Sequence, residues 1–214
     1  MNIRLDAAHS IVRQTGVPKG WKEYSLGELV DIIGGGTPDR DEGSYWRDGH
    51  VPWITPTDLT ANSSKWISSG AEHISDTGLS HSNATLVPRG SIIFSTRGSV
   101  GKIAVAAVPL TCNQSCEILL SQPDKLSSYD FLYYLLSFGL PAFLRLSAGT
   151  TFDSITRRDI KRVLFAVPQV GSKEQEAIAV ILDNTDKIIE LVKEAVKQAG
   201  LTRKALMQSF FNFK

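Results

Sequence analysis

The residues best suited to chemistry in this 214-residue chain lie in one short run, Thr96-Arg97-Gly98-Ser99-Val100-Gly101-Lys102. Gly98 to Lys102 invites comparison with a phosphate-binding P-loop, whose backbone N–H groups and lysine cradle phosphates. That loop needs glycine at 96 and Ser or Thr at 103, where this chain has Thr96 and Ile103. It also needs a helix to follow, whereas I-A-V-A-A-V (103–108) reads as a strand. The nucleotide-binding reading fails on both counts. What remains is Thr96, Arg97, Gly98, Ser99 and Lys102 on a tight turn between two strands. Small hydroxyl and glycine residues beside Arg and Lys suit contacts to the backbone and base edges of DNA. A solvated hairpin tip would carry the same residues.

Other chemistries find less support. Pro123-Asp124 and, much later, Asp159-Ile160-Lys161 formally resemble the scattered carboxylate and lysine set of a magnesium-dependent nuclease. Those pieces are short, and the second sits in a basic helical stretch rather than on a strand. A methyltransferase acting on amino groups would carry an N-P-P-Y-type tetrapeptide and a glycine-rich cofactor loop, and the sequence has neither. His9, His50, His73 and His81 are dispersed and build no Ser/His/Asp constellation. Cys112 and Cys116 are spaced four apart, without the paired Cys/His partners of a zinc site. The chain reads as non-catalytic, with no metal or cofactor of its own.

Charge is local rather than global. The formal net charge is +1, but residues 1–87 carry 7 basic and 11 acidic side chains, and residues 88–162 carry 9 and 5. The middle of the chain is the electropositive part, and folding can bring Arg40, Arg47 and Lys65 beside it. No stretch of about 18 apolar residues occurs and the N-terminus has no apolar signal segment, so a cytoplasmic protein is expected.

The elements that must position these residues follow in order. Residues 1–20 show little periodicity and form a lead-in. Ser25 with Glu28 is a capping box opening a short helix with Leu26, Leu29, Val30 and Ile33 on one face. That helix stops at Gly34-Gly35-Gly36-Thr37-Pro38, where a C-cap turn and a ligand-facing loop would both use the backbone freedom of glycine. V-P-W-I-T (51–55) reads as a strand led by a proline, suited to an edge or a strand start. Strands follow at 91–95, 103–108 and 116–121. A helix is expected over 128–138, broken by Gly139-Leu140-Pro141, and a short basic helix holds Arg157, Arg158, Lys161 and Arg162. Val163–Val167 is a strand. The fold class is α+β: a mixed globule over 21–168 and a helical arm over 172–211.

That arm is the longest signal in the chain. Ile178, Ile181, Leu182, Ile188, Ile189, Val192, Val196 and Leu206 recur three and four apart, and Ser172 with Gln175 has the pattern of a second capping box. At 1.5 Å per residue the helix would be about 55–60 Å long. Its apolar stripe fills heptad positions a, d and e, wider than a two-stranded seam needs. Such a rod suits an antiparallel coiled coil or small bundle.

The succession L-G-E-L, G-G-G-T-P, P-W-I-T, L-V-P-R-G-S-I-I-F-S-T-R-G-S-V-G-K, A-G-T-T-F-D-S-I and K-E-Q-E-A-I-A-V-I-L-D-N-T-D resembles the target-recognition domain of type I restriction–modification specificity (S) subunits. The resemblance covers residues 21–210. The chain departs from it at P-Q-V-G-S-K-E-Q, where the family more often has a second proline, and at R-G-S-V-G, where a bulkier residue usually precedes the last glycine. The resemblance implies a non-catalytic reader of double-stranded DNA. It implies partners too: a methyltransferase (M) subunit that carries S-adenosylmethionine and methylates adenine, and, in a restriction complex, a restriction (R) subunit.

Family members usually carry two recognition domains and two long helices, and this chain has one of each. It is therefore expected to act as a half-subunit that pairs with a second copy through its arm and reads a bipartite target. Chemistry and position in the family's order together mark the DNA-facing candidates. They are Gly35, Gly36, Thr37, Arg47, the turn from Thr96 to Lys102, Thr150, Thr151, Arg157 and Arg158. A self-contained nuclease using Asp124, Asp159 and Lys161, or an interaction module that binds no DNA, are the rival classes.

Overall fold

The computed structural model describes residues 3–6, 11–14, 17–148, 154–170 and 173–211, with the backbone alone for the first two stretches. Thr150, Thr151 and Ser172 lie outside the described residues. The chain forms two compact units, residues 1–175 and 176–214.

In the first unit β1 (Ile3–Asp6) and β2 (Ile11–Gln14) pair antiparallel in place of a featureless lead-in. β3 (Trp21–Ser25) leads into α1 (Leu26–Leu29) and β4 (Val30–Gly34). After a polar loop come β5 (Val51–Ile54), α2 (Pro56–Ala61), β6 (Trp66–Ile67), β7 (Glu72–Ile74) and α3 (Asp76–Ser80). The strands β8 (Ile92–Ser95), β9 (Ile103–Ala106), β10 (Thr111–Cys112) and β11 (Cys116–Ser121) follow. α4 (Tyr129–Ser147), α5 (Arg157–Arg162), β12 (Leu164–Pro168) and α6 (Glu174–Phe211) complete the order.

Five strands form one sheet in the order β4-β11-β8-β9-β6, and three form a second in the order β10-β5-β7. β8 is buried along its whole length, which a strand covered on both faces requires. Ile93 points with Ala104, Ala106 and Ile118 into a cluster shared with Ile54 and Leu59 of the β5–α2 segment. Phe94, one residue on, points the other way and meets Phe143 of α4 edge-on, ring centroids 5.0 Å apart. The second sheet thus covers one face of the first, and α4 covers the other.

Three local expectations give way to tertiary packing. Helix α1 is a single turn, and Val30–Gly34 is a strand whose Ile33 faces Ile118 of β11. The apolar spacing of Leu26, Leu29, Val30 and Ile33 fits a helix, but Val30, Ile32 and Ile33 are β-branched and a partner strand is present. α4 runs unbroken through Gly139-Leu140-Pro141. Gly139 packs against the Phe165 ring, where a Cβ would lie 2.6 Å from Cζ, and Pro141 is exposed, so the ring points away from the core. β5 is a central strand, not an edge. Pro52 faces His73 on one side, and on the other β10 begins only opposite Trp53, so the missing N–H falls at a strand start.

Of the capping box expected at the start of α6, only Gln175 lies among the described residues. It is fully buried, its Nε2 donates to the carbonyls of Lys125 and Pro168, and its Oε1 accepts from the Ser127 N–H. Beside it, the Trp21 indole donates to Glu174 at 3.0 Å.

The second unit is helical. α6 has 38 residues, about 57 Å at the usual rise, and passes through Gly200. Ile181, Ile188, Ile189, Val192, Val196 and Leu206 are exposed, while Ile178 and Leu182 are half-buried. A stripe of that size left in water is what a partner helix would cover.

Candidate nucleic-acid interface

The turn between β8 and β9 is fixed from beneath. The Ser95 side-chain oxygen accepts from the Lys102 N–H at 2.9 Å, and the Ser95 carbonyl accepts from Gly101 at 3.0 Å. The Thr96 N–H and hydroxyl both donate to the Ser115 carbonyl, at 2.8 and 3.0 Å. Gly98 and Gly101 have φ of 75° and 84°, which favours glycine at both, and Gly101 rests on the tip of Leu140 of α4. These constraints leave Arg97, Gly98 and Lys102 exposed and Ser99 half-buried. Thr96 is corrected: it is buried with its hydroxyl engaged, and it anchors the turn rather than facing outward.

The glycine loop is held by packing in a similar way. Gly35 donates to the Cys116 carbonyl and Gly36 to the Cys112 carbonyl, while the Gly36 carbonyl accepts from the Trp53 indole at 2.8 Å. A Cβ on Gly35 would lie 2.0 Å from the Asn113 oxygen, and one on Gly36 would lie 2.3 Å from Asn83 carbonyl carbon. The glycines are there because backbones pack on backbones. Thr37 is half-buried and its hydroxyl donates to Gln114.

Helix α5 is capped by Thr156, whose hydroxyl accepts from the Asp159 N–H at 3.2 Å and donates to that residue's carboxylate. Asp159 is therefore a capping partner, and Asp124 is an exposed carboxylate 3.5 Å from Lys125. Arg157 turns back to Glu117 with its Nε and Nη2, the latter at 2.8 Å. The pair leaves the Arg157 side chain 44% exposed. Arg158 stays exposed, as does Arg47 at the end of a short 3₁₀ turn.

The start of β11 draws these segments together. Ser115 holds the turn, Cys116 holds Gly35, and Glu117 holds Arg157, while Ile155 donates to the Thr96 carbonyl at 3.0 Å. The two cysteines beside this junction are core residues. A hydrogen bond with Cys112 and burial push the Cys116 thiol up, so it stays neutral and is no nucleophile.

Folding does bring Arg40 beside the electropositive turn, in a cleft shared with Arg97. Arg40 lies 3.9 Å from the Trp46 ring centre and 4.7 Å from that of Trp53. Its Nη1 and Nη2 donate to the two oxygens of Glu72 at 2.6 and 3.0 Å. The pair is half exposed, so it contributes about 0.2–1 kcal/mol at most to stability. The Arg40 guanidinium holds the Glu72 carboxyl below the usual carboxylate range. Arg40, Trp53, Asp58, Glu72, Arg97 and Asn113 line an open cleft of about 540 Å³ between the second sheet and the turn. The sequence marks Arg40 and the aromatics of the 39–49 loop but not Glu72, which is 32 residues away along the chain.

Comparison with known proteins agrees with the order of motifs. The pattern of the type I restriction modification DNA specificity domain matches residues 18–199. The chain is 31% identical over 199 residues to the MjaIX specificity subunit of Methanocaldococcus jannaschii, covering 92% of this chain and 44% of that one. It is 30% identical over 181 residues to the EcoR124I/EcoR124II specificity subunit of Escherichia coli, covering 82% and 43%. The chain thus spans a little under half the length of these relatives. The fold is similar to that of a chain from a solved type I R-M system, with a TM-score of 0.71, 23% identity, and 91% and 45% of the two chains covered. It is also similar to the HsdS subunit from Thermoanaerobacter tengcongensis, with a TM-score of 0.64, 19% identity, and 98% and 48% covered. The chain belongs to the family of type I restriction modification DNA specificity domains.

Proposed function

We propose that this chain is a half-size specificity subunit: a non-catalytic, sequence-specific reader of double-stranded DNA that serves a methyltransferase and a restriction complex. The observation that carries the reading is the turn from Arg97 to Lys102. It presents two exposed cations on a backbone that donates hydrogen bonds to Ser95 and Ser115 and is seated on α4. Fixed cations and small residues position a protein on phosphates and let backbone approach base edges.

α6 supplies the second half of the proposal. Its exposed stripe pairs antiparallel with the same stripe of a second copy, giving two recognition domains at a set separation. A two-fold pairing of identical domains reads two identical half-sites in inverted order with unread bases between them. The bound helices also dock the methyltransferase subunit, which holds S-adenosylmethionine and methylates adenine. This chain supplies the address and the partner supplies the chemistry.

Arg97→Ala with Lys102→Ala, measured in DNA binding with the methyltransferase present, tests the turn. Loss of two phosphate contacts should lower the slope of log affinity against log salt by about 1–2 and weaken binding on all sequences. Unchanged affinity, salt slope and sequence preference would remove the turn from the interface.

A further inference from the structure

We propose that Arg40 and Glu72 act as one unit that reads a G·C base pair in the major groove, with the Arg97–Lys102 turn holding the neighbouring backbone. The inference rests on the DNA-reading function above and assigns a specificity-determining pair to it.

A guanidinium has five N–H donors and a carboxylate only acceptors. Arg40 spends one N–H of each Nη on Glu72 and keeps its remaining donors, and both residues line the open cleft. In the major groove, guanine offers two adjacent acceptors, O6 and N7, and cytosine offers the N4 donor. An A·T pair has no two adjacent acceptors for a bidentate arginine. A donor fork beside an acceptor therefore matches G·C, with Arg40 on the guanine and Glu72 on the cytosine amino group.

Geometry makes the fork rigid. The guanidinium lies against Trp46 and Trp53, whose rings meet edge-on with centroids 5.1 Å apart. Each ring is itself tied, Trp46 to the Asp39 carbonyl at 2.9 Å and Trp53 to the Gly36 carbonyl at 2.8 Å. An arginine held flat before binding loses little freedom when it binds. The other carboxylate of the cleft has no such use. Asp58 already accepts from the Ala71 N–H and from the Thr55 N–H and hydroxyl. Across the cleft stand Arg97 and Gly98 of the turn.

The test uses the full chain with the methyltransferase subunit and selects from a library of randomised duplexes. The wild-type consensus should contain a fixed G·C pair in each half-site. Arg40→Gln should relax that pair alone, by roughly 10- to 100-fold in preference, with the other positions and the salt slope kept. Arg40→Lys, which keeps the charge but not the fork, should relax the same pair while holding total affinity. Arg97→Ala should weaken binding without relaxing any position. Tryptophan fluorescence and melting temperature of each variant report whether the Trp46–Trp53 platform is intact. A folded Arg40→Gln and Arg40→Lys with the wild-type consensus would overturn the inference and leave the DNA-reading function standing. A wild-type complex without any sequence preference would overturn both.

Discussion

Gly35 is the position where one added carbon should cost most. A Cβ there meets two backbone oxygens, 2.0 Å from that of Asn113 and 2.6 Å from that of Cys112, and neither can move without dislodging the link between the two sheets. Gly35→Ala should destabilise by about 3 kcal/mol, a fall in melting temperature of roughly 10 °C for a domain of this size. Differential scanning calorimetry checks it, and an unchanged transition would mean that the loop is looser than its packing implies. The sequence marks this triglycine as special without saying why. Backbone freedom is equally useful to a ligand loop and to close packing, and the deciding neighbours, Asn83, Cys112 and Asn113, are far along the chain. Thr96 misleads for the same reason. Its residue type suits DNA, but Ser115 holds it, and no local pattern announces such a partner.

Among elements, those with a strong local period were legible and those decided by a partner were not. β8, β9 and β11 lie close to their expected spans because short apolar runs bounded by turns have few other solutions. β3 was missed because W-K-E-Y-S is a strand only by virtue of β12 beside it. α1 was half right: its capping box is present, with Glu28 accepting from the Ser25 N–H at 2.8 Å and hydroxyl at 2.7 Å, but a strand takes over after one turn. Those two bonds hold the Glu28 carboxyl below its ordinary 4.5. A depressed carboxylate contributes stability that is present above 4.5 and lost as pH falls through the lowered value. Ser25→Ala should cost about 1 kcal/mol at pH 7, and the difference from wild type should shrink on acidification below pH 4.5. Urea melts at neutral and acid pH measure both, and a gap that stays constant down to acid pH would exclude the carboxylate's part.

At the scale of the molecule the proposed assembly rests on the long helix. Ile188 is 61% exposed and lies in the middle of the stripe. Ile188→Asp places a charge where a second helix should pack, so sedimentation should show monomer where the unaltered chain shows dimer at micromolar concentration. The melting transition of residues 21–168 should not move. A dimer that survives the substitution would mean that the copies meet elsewhere or not at all. The length and period of this helix were plain in the sequence because nothing but its own turn spacing sets them. The cleft at Arg40 was not plain, because it exists only once the 39–49 loop, β7 and the β8–β9 turn are folded against one another.

The pairing of β3 with β12 has a consequence for how such a chain can change over generations. Trp21 stands opposite Pro168 and Ser25 opposite Leu164, so everything from Leu26 to Val163 leaves and returns through one doorway two strands wide. A segment with adjoining ends is a cassette. Two crossovers, one in each of these strands, would exchange the whole segment, and with it the proposed reading surface, while the hydrogen-bonded doorway and the helix beyond it keep their own sequence. A new target could then be acquired in a single recombination, with no intermediate that has to fold around half of one reader and half of another.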